Sequence, residues 1–287
     1  MDTHAANREN RFSTQKLVGE MMQSRKSYIE SAELQTQERV LKYFYSPTET
    51  LTIFEIGACE GENSVRYANF FPNAEIYAFE PLPDNIVLVN KNVKEYNKKN
   101  IKLITSCLSD KTGEVSFYVS EGNPENVEVG DWNFGNKSSS ILPPEKTLEI
   151  HEWLKFKKEI KVPTDTLANF CMQNKIDFID FIHMDVQGAE LMVLQGAENY
   201  IDKISMIWLE VEAVELYKGQ PLKNDIEAFL KGNGFTKLVD TVYTEAGDQF
   251  WINTTFLKGR NALKTGIIRM YYYFKFKYKK IRRKLSK

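Results

Sequence analysis

The sequence predicts an α/β protein with a doubly wound, mostly parallel β-sheet. Between residues 51 and 256, apolar runs typical of buried strands alternate with amphipathic segments typical of helices. The last two predicted strands are separated only by residues 240–249, which suffices for an antiparallel hairpin but not for a crossover helix. We therefore expect a sheet covered by helices on both faces, with an antiparallel pair at its end.

Turn and cap residues bound the elements in the first half of the chain. Pro47 ends the first helix, a Pro-Asn turn at 72–73 ends the second, and Asp84 is expected to cap the third. The predicted elements are a helix over 35–45, a strand over 51–57, a helix over 63–71, a strand over 75–80, a helix over 84–96, and strands over 101–106 and 114–119.

The second half continues this alternation. Gly232 and Gly234 separate its last helix from the strand that follows. The predicted elements are a strand over 158–162, a helix over 167–172, a strand over 178–185, a helix over 188–199, a strand over 204–212, a helix over 222–231, and strands over 235–239 and 250–256.

Residues 120–150 interrupt the pattern. They are rich in Gly, Asn, Ser and Pro, yet they include Trp132, Phe134 and Ile141. Long loops of this kind are often functional lids. Lys137 and the serines at 138–140 could join the aromatic residues in a lid that excludes water or holds a sugar ring. Simple packing of the aromatic side chains beneath the loop is the alternative, and the sequence leaves both open.

Length and composition predict one sizeable domain with flanking segments. We expect a polar leader and N-terminal helix at 1–49, an α/β domain at 50–257 and a tail at 258–287. The three cysteines are odd in number and widely spaced, so neither a disulfide framework nor a zinc site is indicated. A secretory signal and a membrane-spanning run are both absent from the pattern, which favours a cytoplasmic protein.

The tail differs sharply in charge from the rest of the chain. Residues 258–287 contain 12 Lys/Arg and no Asp/Glu, whereas residues 1–257 contain 26 Lys/Arg and 39 Asp/Glu. Basic residues interleaved with aromatic ones suit the headgroup region of an anionic membrane, here at its inner face. A solvated basic extension is an equal alternative. Nucleic acid is a less favoured partner because the acidic body would repel phosphates.

A glycine turn between a strand and a helix is the strongest local signal of ligand binding. Gly57 and Gly61 follow the first strand, whose end carries Glu55, and Glu80 closes the second strand. Parallel sheets bind ligands at this edge, and an acidic residue after the second strand can accept hydrogen bonds from ribose hydroxyls. A strand-to-helix turn without any ligand is the alternative.

The spacing of the glycines indicates which cofactor suits the turn. Cys59 stands where the second glycine of the dinucleotide-binding G-x-G-x-x-G pattern belongs, and the third glycine is missing. A ribose carboxylate without a diphosphate cradle suits S-adenosylmethionine. Two rival functions stay open: a nucleotide- or NAD-binding Rossmann enzyme, which the missing glycines disfavour, and a non-catalytic module with a cofactor fold.

Five segments in order are similar to a known family. FEIGACEGENS, FEPLPDN, LSDKTGEVSFYV, SSSIL and above all MDVQGAEL (184–191) resemble the FkbM family of S-adenosylmethionine-dependent methyltransferases, over roughly residues 50–256. The chain departs from the family at Cys59, where Asn is usual, and at Gln187, where Glu is frequent. The resemblance implies a class I methyltransferase fold with a seven-stranded sheet, and O-methylation of a hydroxyl on a saccharide or related metabolite.

The resemblance also implies the cofactor contacts. It places a first group around the methionine and ribose parts of S-adenosylmethionine, one acid on the ribose hydroxyls, and a third group beside the adenine. The first group is Glu55, Gly57, Ala58, Gly61 and Ser64. The acid is Glu80, and the group beside the adenine is Ser106, Cys107 and Leu108.

Carboxylates at the ends of later strands are the catalytic candidates. Asp185 is expected to face the crevice and to orient the acceptor hydroxyl or accept its proton, although it could instead cap the following helix. Glu190 has a catalytic role or stabilises the helix N-terminus. Either Glu210 or Glu212 is expected to approach Asp185, and Glu212 is the catalytic candidate of the two.

A metal site and a catalytic histidine are two further possibilities at this edge, and neither is favoured. Carboxylates from adjacent strand ends could hold Mg²⁺, which would lower the pKa of a hydroxyl acceptor, but we expect a metal-free site. His183 shares a strand face with Asp185 and could act as a base. A hydrogen-bonded histidine of the core is the favoured interpretation.

Overall fold

A computed structural model of the protein describes residues 24–124, 131–242, 244–257 and 260–285. The helices are α1 (Arg25–Glu30), α2 (Thr36–Phe44), α3 (Glu62–Phe70), α4 (Pro83–Glu95), α5 (Thr147–Ile150), α6 (Leu167–Gln173), α7 (Glu190–Gln195), α8 (Lys223–Gly232) and α9 (Arg260–Leu285). The strands are β1 (Thr52–Ile56), β2 (Glu75–Phe79), β3 (Ile101–Ile104), β4 (Cys107–Ser109), β5 (Gly113–Glu121), β6 (Lys155–Thr166), β7 (Ile179–Met184), β8 (Ile204–Glu212), β9 (Phe235–Asp240) and β10 (Ala246–Asn253). Short 3₁₀ helices cover Phe134–Ser138 and Glu198–Lys203.

The main sheet has seven strands in the order β3-β2-β1-β7-β8-β10-β9. β1 pairs in parallel with β2 and β7, and these pair in parallel with β3 and β8. β10 is antiparallel to both of its neighbours, β8 and β9. The predicted α/β sheet, mostly parallel with its last strand antiparallel, is therefore confirmed.

β1 is the strand at which the order of the sheet reverses. It lies between β2 and β7, so a crevice opens beyond the carboxyl ends of these strands. Alternate side chains of β1 enter different apolar clusters: Ile53 joins one, and Phe54 and Ile56 join the other. The sheet is thus buried on both faces, which leaves its carboxyl edge as the accessible place for a ligand.

A second sheet was not foreseen as a separate unit. β4, β6 and β5 form it in that order, with β4 parallel and β5 antiparallel to β6. The strand predicted over 101–106 ends at Ile104 because the chain then leaves the main sheet and Cys107–Ser109 pairs with β6. This small sheet brings β4 and β5 over the crevice.

Three of the predicted elements have different boundaries, for local reasons. Asp84 does not cap α4, as we had expected; Leu82 is the N-cap and Pro83 takes the first helical position, where a missing N–H costs no bond. The helix predicted over 188–199 is shortened to α7, because Gln187 and Gly188 adopt positive φ angles of 53° and 95°. The last strand begins and ends earlier than predicted, since Ala246 already pairs with Glu212.

Helix α2 forms as predicted, and α9 packs along it in the opposite direction. Val40, Leu41 and Phe44 are buried, as expected for the inward face of α2. Lys264 Nζ donates to the Phe44 carbonyl (3.2 Å), and the Tyr272 hydroxyl donates to the Thr36 carbonyl (3.4 Å). The first part of the basic tail is therefore a helix docked on the body. Across the described ranges, no helix combines the length and apolar character required to cross a bilayer.

Arg66 fixes the N-terminal segment to the rest of the fold. Its guanidinium is fully buried and donates to both oxygens of the buried Glu38 carboxylate, at 2.6 and 2.7 Å. It also donates to the carbonyls of Ser31 and Glu33, at 3.2 and 2.8 Å. One side chain of α3 thereby holds the start of α2 and the turn before it.

Removal of this guanidinium should strongly destabilise the protein. We expect Arg66→Met to lower the free energy of unfolding by about 3–5 kcal/mol, because the Glu38 carboxylate would stay buried without its partner. Arg39→Met is the matched control, since its pair with Glu33 is exposed (42% and 81%) and worth less than about 1 kcal/mol. Urea unfolding of both variants measures the difference, and equal losses would contradict this role of Arg66.

Candidate functional site

A cleft lies at the carboxyl ends of β1, β2 and β7. Its walls come from the segments that follow β1, β2 and β7, the strands β4 and β5 of the small sheet, and the loop containing Asn136 and Lys137. The crevice predicted from the strand order is thus present and enclosed by segments from distant parts of the chain.

The loop after β1 is packed too closely to accept a side chain at its first glycine. Gly57 has φ +85°, and a Cβ there would lie 1.9 Å from the Asp185 carbonyl oxygen. Gly61 also has a positive φ (+75°) and is the N-cap of α3. Both glycines are therefore required by backbone conformation, as the sequence indicated.

The N–H groups of this loop bond within the protein. Those of Gly57 and Ala58 donate to the Phe79 carbonyl (3.1 and 2.9 Å), and that of Gly61 donates to the Ala58 carbonyl (2.7 Å). The Cys59 N–H donates to Glu80 Oε2 at 2.8 Å. These four groups do not point at a ligand, so the loop lacks the N–H cradle that a diphosphate would use.

Cys59 is in the left-handed region, with φ +53°. Asn adopts this conformation more readily than most residues, which accounts for the Asn that the FkbM resemblance leads one to expect at this position. The bond from Cys59 to Glu80 uses only the backbone. The exchange of Asn for Cys therefore preserves the loop.

Glu80 is held firmly but keeps free acceptor sites. Its two carboxylate oxygens accept from the N–H groups of Cys59 and Leu82, each at 2.8 Å. A carboxylate offers about four acceptor sites, so Glu80 can still accept from a ligand hydroxyl. Burial raises the pKa of Glu80 to about 7. It lines the cleft, as a ribose-binding acid must.

Glu55 is a second buried acid of the cleft. It is 2% exposed and accepts a hydrogen bond from the Ser64 hydroxyl at the start of α3. Burial is the main cause that raises its pKa to about 8, and the nearby Glu62 carboxylate adds to the effect. Ser64 lies behind Glu55 rather than in the cleft wall, so its contact with any ligand is indirect.

The predicted cofactor residues fall into two groups. Those that line the cleft are Glu55, Gly57, Ala58, Glu80, Cys107 and Leu108. Gly61, Ser64 and Ser106 are not among its lining residues. Gly61 and Ser64 support the loop and Glu55 from behind, and Ser106 lies between β3 and β4. Contact with a cofactor stays a prediction for all nine.

Asp185 lies in the cleft wall beyond β7 and is oriented by Gln187. The Gln187 amide donates to Asp185 Oδ1 (2.7 Å) and to Glu210 Oε2 (3.2 Å). The Tyr217 hydroxyl donates to Gln187 Oε1 (3.0 Å) and fixes the amide in turn. Asp185 does not cap α7, because Ala189 is the N-cap. The carboxylate is thus exposed in the cleft and held in one direction.

Glu190 and Glu212 lie behind Asp185, outside the cleft wall. Glu190 Oε1 accepts from the N–H groups of Val186 and Gly188, at 3.0 and 3.3 Å, which stabilises the turn before α7. Burial and then the charge of Asp185 raise the pKa of Glu190, to about 7. Burial and the charges of Glu190, Glu210 and Asp185 raise the pKa of Glu212 well above its ordinary value.

Glu210 and Glu212 are both neighbours of Asp185. Glu210 shares the Gln187 amide with it, and Glu212 is close enough for the charge of Asp185 to raise its pKa. The expectation that only one would approach was wrong, because residues two apart on a strand share a face. No group of three or more His, Cys, Asp or Glu side chains in the described ranges is arranged to hold a metal ion. The metal-free site stays a prediction.

His183 lines the cleft but is engaged by the core. Its Nδ1 lies 2.9 Å from the Tyr67 hydroxyl, and burial lowers its pKa to about 4. A neutral, hydrogen-bonded imidazole is therefore its state near neutral pH. The favoured interpretation as a histidine of the core agrees with this contact.

The loop at 131–142 packs its aromatic side chains and also lines the cleft, and its role as a lid stays a prediction. Phe134 is buried and Trp132 packs near it, while Lys137 lies over the Trp132 ring (4.5 Å) and bonds Glu62 Oε1 (3.2 Å). Asn136, Lys137, Ser139 and Ile141 also line the cleft. The aromatic side chains anchor the loop, and the polar ones face the site. Residues 125–130 of the predicted lid lie outside the described residues.

Sequence reasoning missed the contacts that close the cleft. Glu60 is fully buried and bonds both Arg25 of α1 and the Asn133 N–H (2.8 Å) of the lid. Asn85 lines the cleft and accepts from the Asn136 amide (2.8 Å). The position of Glu60, an acidic residue between Gly57 and Gly61, was a usable signal in the sequence. Its partners lie far away in sequence, and no local pattern marks them.

The fold and the cleft define a class I methyltransferase. The family model for the FkbM methyltransferase domain matches residues 55–237. The chain is 32% identical over 172 residues to the 2-O-methyltransferase NoeI of Sinorhizobium fredii, which covers 60% of this chain and 68% of NoeI. It is 25% identical over 204 residues to the methyltransferase sdnD of Sordaria araneosa, covering 64% of this chain and 73% of sdnD.

Among solved structures, the methyltransferase FkbM from Methylobacillus flagellatus matches with a TM-score of 0.46 and 14% identity, over 80% of this chain and 50% of that chain. The family match spans most of the α/β body. The chain therefore belongs to the FkbM methyltransferase family and is an S-adenosylmethionine-dependent methyltransferase.

A side chain at Gly57 should disrupt the site. We expect Gly57→Ala to abolish binding of S-adenosylhomocysteine and to lower the free energy of unfolding, because its Cβ would overlap the Asp185 carbonyl. Gly219→Ala is the control: its φ is also positive (+73°) but its Cβ would meet open space, so only about 1–2 kcal/mol of backbone strain is expected. Calorimetric titration and urea unfolding distinguish the two, and intact binding in Gly57→Ala would contradict the close approach.

Buried acids in the site should make stability fall as the pH rises. The pKa of Glu55 is raised to about 8, and those of Glu80 and Glu190 to about 7, from an ordinary value of 4.5. Above pH 4.5 the folded chain therefore holds protons that the unfolded chain releases, and the free energy of unfolding decreases until about pH 8. Each unit of raised pKa corresponds to about 1.4 kcal/mol.

Urea unfolding of the ligand-free protein between about pH 5.5 and about pH 8 measures this slope. Glu190→Gln should make it shallower, whereas Glu75→Gln, on the exposed end of β2, should leave it unchanged. Stability that increases over this interval would contradict the raised pKa values.

Proposed function

We propose that the protein transfers the methyl group of S-adenosylmethionine to a hydroxyl of a saccharide or related metabolite. The observation that carries this proposal is the oriented Asp185 carboxylate, which shares one cleft with Glu80. A hydroxyl acceptor needs a base beside it, and the position of the Asp185 carboxylate in the cleft wall supports this role. The name of NoeI, a 2-O-methyltransferase, supports oxygen as the atom methylated.

The groups at the ends of β1 and β2 fit S-adenosylmethionine. The loop N–H groups bond internally and leave no diphosphate cradle, while Glu80 can still accept from a ribose hydroxyl. Acids around the cleft favour a ligand with a positive sulfonium and ammonium group. When bound, the cofactor supplies a methyl group that is already electrophilic. An NAD-binding enzyme is disfavoured by the same loop.

The protein's own task is alignment and proton removal. We assign proton acceptance to Asp185, whose carboxylate the Gln187 amide holds in place. Glu190 and Glu212 act as positioning residues: Glu190 fixes the turn that carries Gln187, and the buried Glu212 lies behind Asp185. Lys137 and Asn136 are assigned to the acceptor side, because they extend from the lid into the cleft. We propose that this chemistry takes place in the cytoplasm, at the inner face of a membrane.

Two variants should separate cofactor binding from chemistry. Glu80→Ala should lower the affinity for S-adenosylhomocysteine at least about tenfold, because the ribose hydroxyls lose their acceptor. Asp185→Asn should keep that affinity and lower turnover by about 10²–10⁴-fold, because the proton acceptor is lost. The matched controls are Glu75→Ala at the far end of β2 and Asp177→Asn before β7, and neither should differ from the wild type.

The assay is transfer of radiolabelled methyl from S-adenosylmethionine to a panel of saccharides, with affinities from calorimetry. Unchanged affinity in Glu80→Ala would refute the ribose assignment. Cofactor binding without turnover on any hydroxyl acceptor would instead support the non-catalytic module.

A further inference from the structure

We infer that the outward face of α9 is a docking surface for an anionic lipid membrane. Large apolar side chains are exposed along it, each between 49% and 71%. They are Leu263, Ile267, Met270, Tyr271 and Phe274, and together they are called the α9 stripe. Their separations of four, three, one and three residues place them on one side of a helix.

Packing against the body does not bury the α9 stripe, whose side chains are all at least 49% exposed. Among the side chains of α9 that the structure describes, Thr265, Ile268 and Tyr272 are buried, and they bind the helix to the body. At 3.6 residues per turn, the stripe lies about half a turn away from them. The inward face of α9 is therefore already satisfied, and its opposite face exposes a contiguous apolar surface of the kind that marks an interaction site.

Charge selects the occupant of this surface. Residues 258–287 contain 12 Lys/Arg and no Asp/Glu. Arg269 is exposed on the same helix. Aliphatic and aromatic side chains beside cations are the composition of helices that lie in the headgroup layer of anionic bilayers. Pairing of two α9 helices would bring two such cationic tails together, so charge disfavours a second copy of the chain at this face.

The direction of α9 relates this surface to the cleft. The helix passes the end of α2 at Lys264 and the start of α2 at Tyr272. The end of α2 is at the amino edge of the sheet, because the Thr48 carbonyl in the loop after α2 accepts from the amide of Asn73, just before β2 begins (3.0 Å). The helix therefore runs toward the carboxyl edge, where the cleft opens.

Beyond Tyr272 the helix continues to Leu285, a length of about 20 Å at about 1.5 Å per residue. Attachment through α9 would hold the cleft close to the bilayer surface. This placement suits an acceptor that is itself presented at a membrane. The lipid binding does not depend on the identity of that acceptor.

The test is co-sedimentation of the full chain with vesicles of phosphatidylcholine alone or mixed with phosphatidylglycerol. We expect the wild type to sediment with the anionic vesicles only, and less so as salt is raised. The double variant Ile267→Glu/Phe274→Glu should reduce binding at least about tenfold, since two large apolar side chains no longer enter the headgroup layer. Val87→Glu/Met172→Glu is the matched control, because it makes the same charge change at exposed apolar residues of α4 and α6.

The inference is overturned if the wild type does not bind anionic vesicles, or if the stripe variant binds as well as the control. It is also overturned if light scattering shows a dimer that the stripe variant dissociates while vesicle binding is absent. Equal calorimetric affinity for S-adenosylhomocysteine in all three proteins shows that each is folded. The proposed methyl transfer is tested separately by the radiolabel assay without vesicles, so the two proposals can fail independently.

Discussion

The close approach of Gly57 to the backbone of Asp185 is the contact on which the site depends. Only the absence of a Cβ allows the loop after β1 to touch the loop after β7. The Asp185 N–H also donates to the Ile56 carbonyl (3.0 Å), and the Gly57 N–H donates to Phe79 at the end of β2. Three strand ends are thereby locked together. The ribose acid and the proposed base consequently lie in one cleft although 105 residues separate them.

The concentration of acids around this contact has an electrostatic cost and an evident use. Burial of Glu55, Glu80 and Glu190 raises the pKa of each, which disfavours their ionised forms in the empty protein. A ligand with positive charge favours those same ionised forms. Part of the stability that the fold gives up near neutral pH is therefore recovered on binding, as expected for functional sites with perturbed pKa values.

The parallel sheet and the glycine turn were predictable because their signals are local. The apolar runs predict the strands, and Gly57 and Gly61 predict the turn. The short interval between the last two strands predicts the final hairpin. The small sheet was missed because β4 is three residues long and its partner β6 begins more than 40 residues later. Likewise, nothing near Arg25 indicates Glu60 as its partner. Helix α7 was overestimated because the positive φ of Gln187 cannot be inferred from its residue type.

The central claim is that this cleft binds an adenosyl sulfonium compound rather than a dinucleotide. Isothermal titration of the wild-type protein with S-adenosylmethionine and, separately, with NADH tests it most directly. We expect one molecule of S-adenosylmethionine to bind per chain at micromolar affinity, and the titration with NADH to release no binding heat. Saturable binding of NADH, or no binding of S-adenosylmethionine at millimolar concentration, would contradict it.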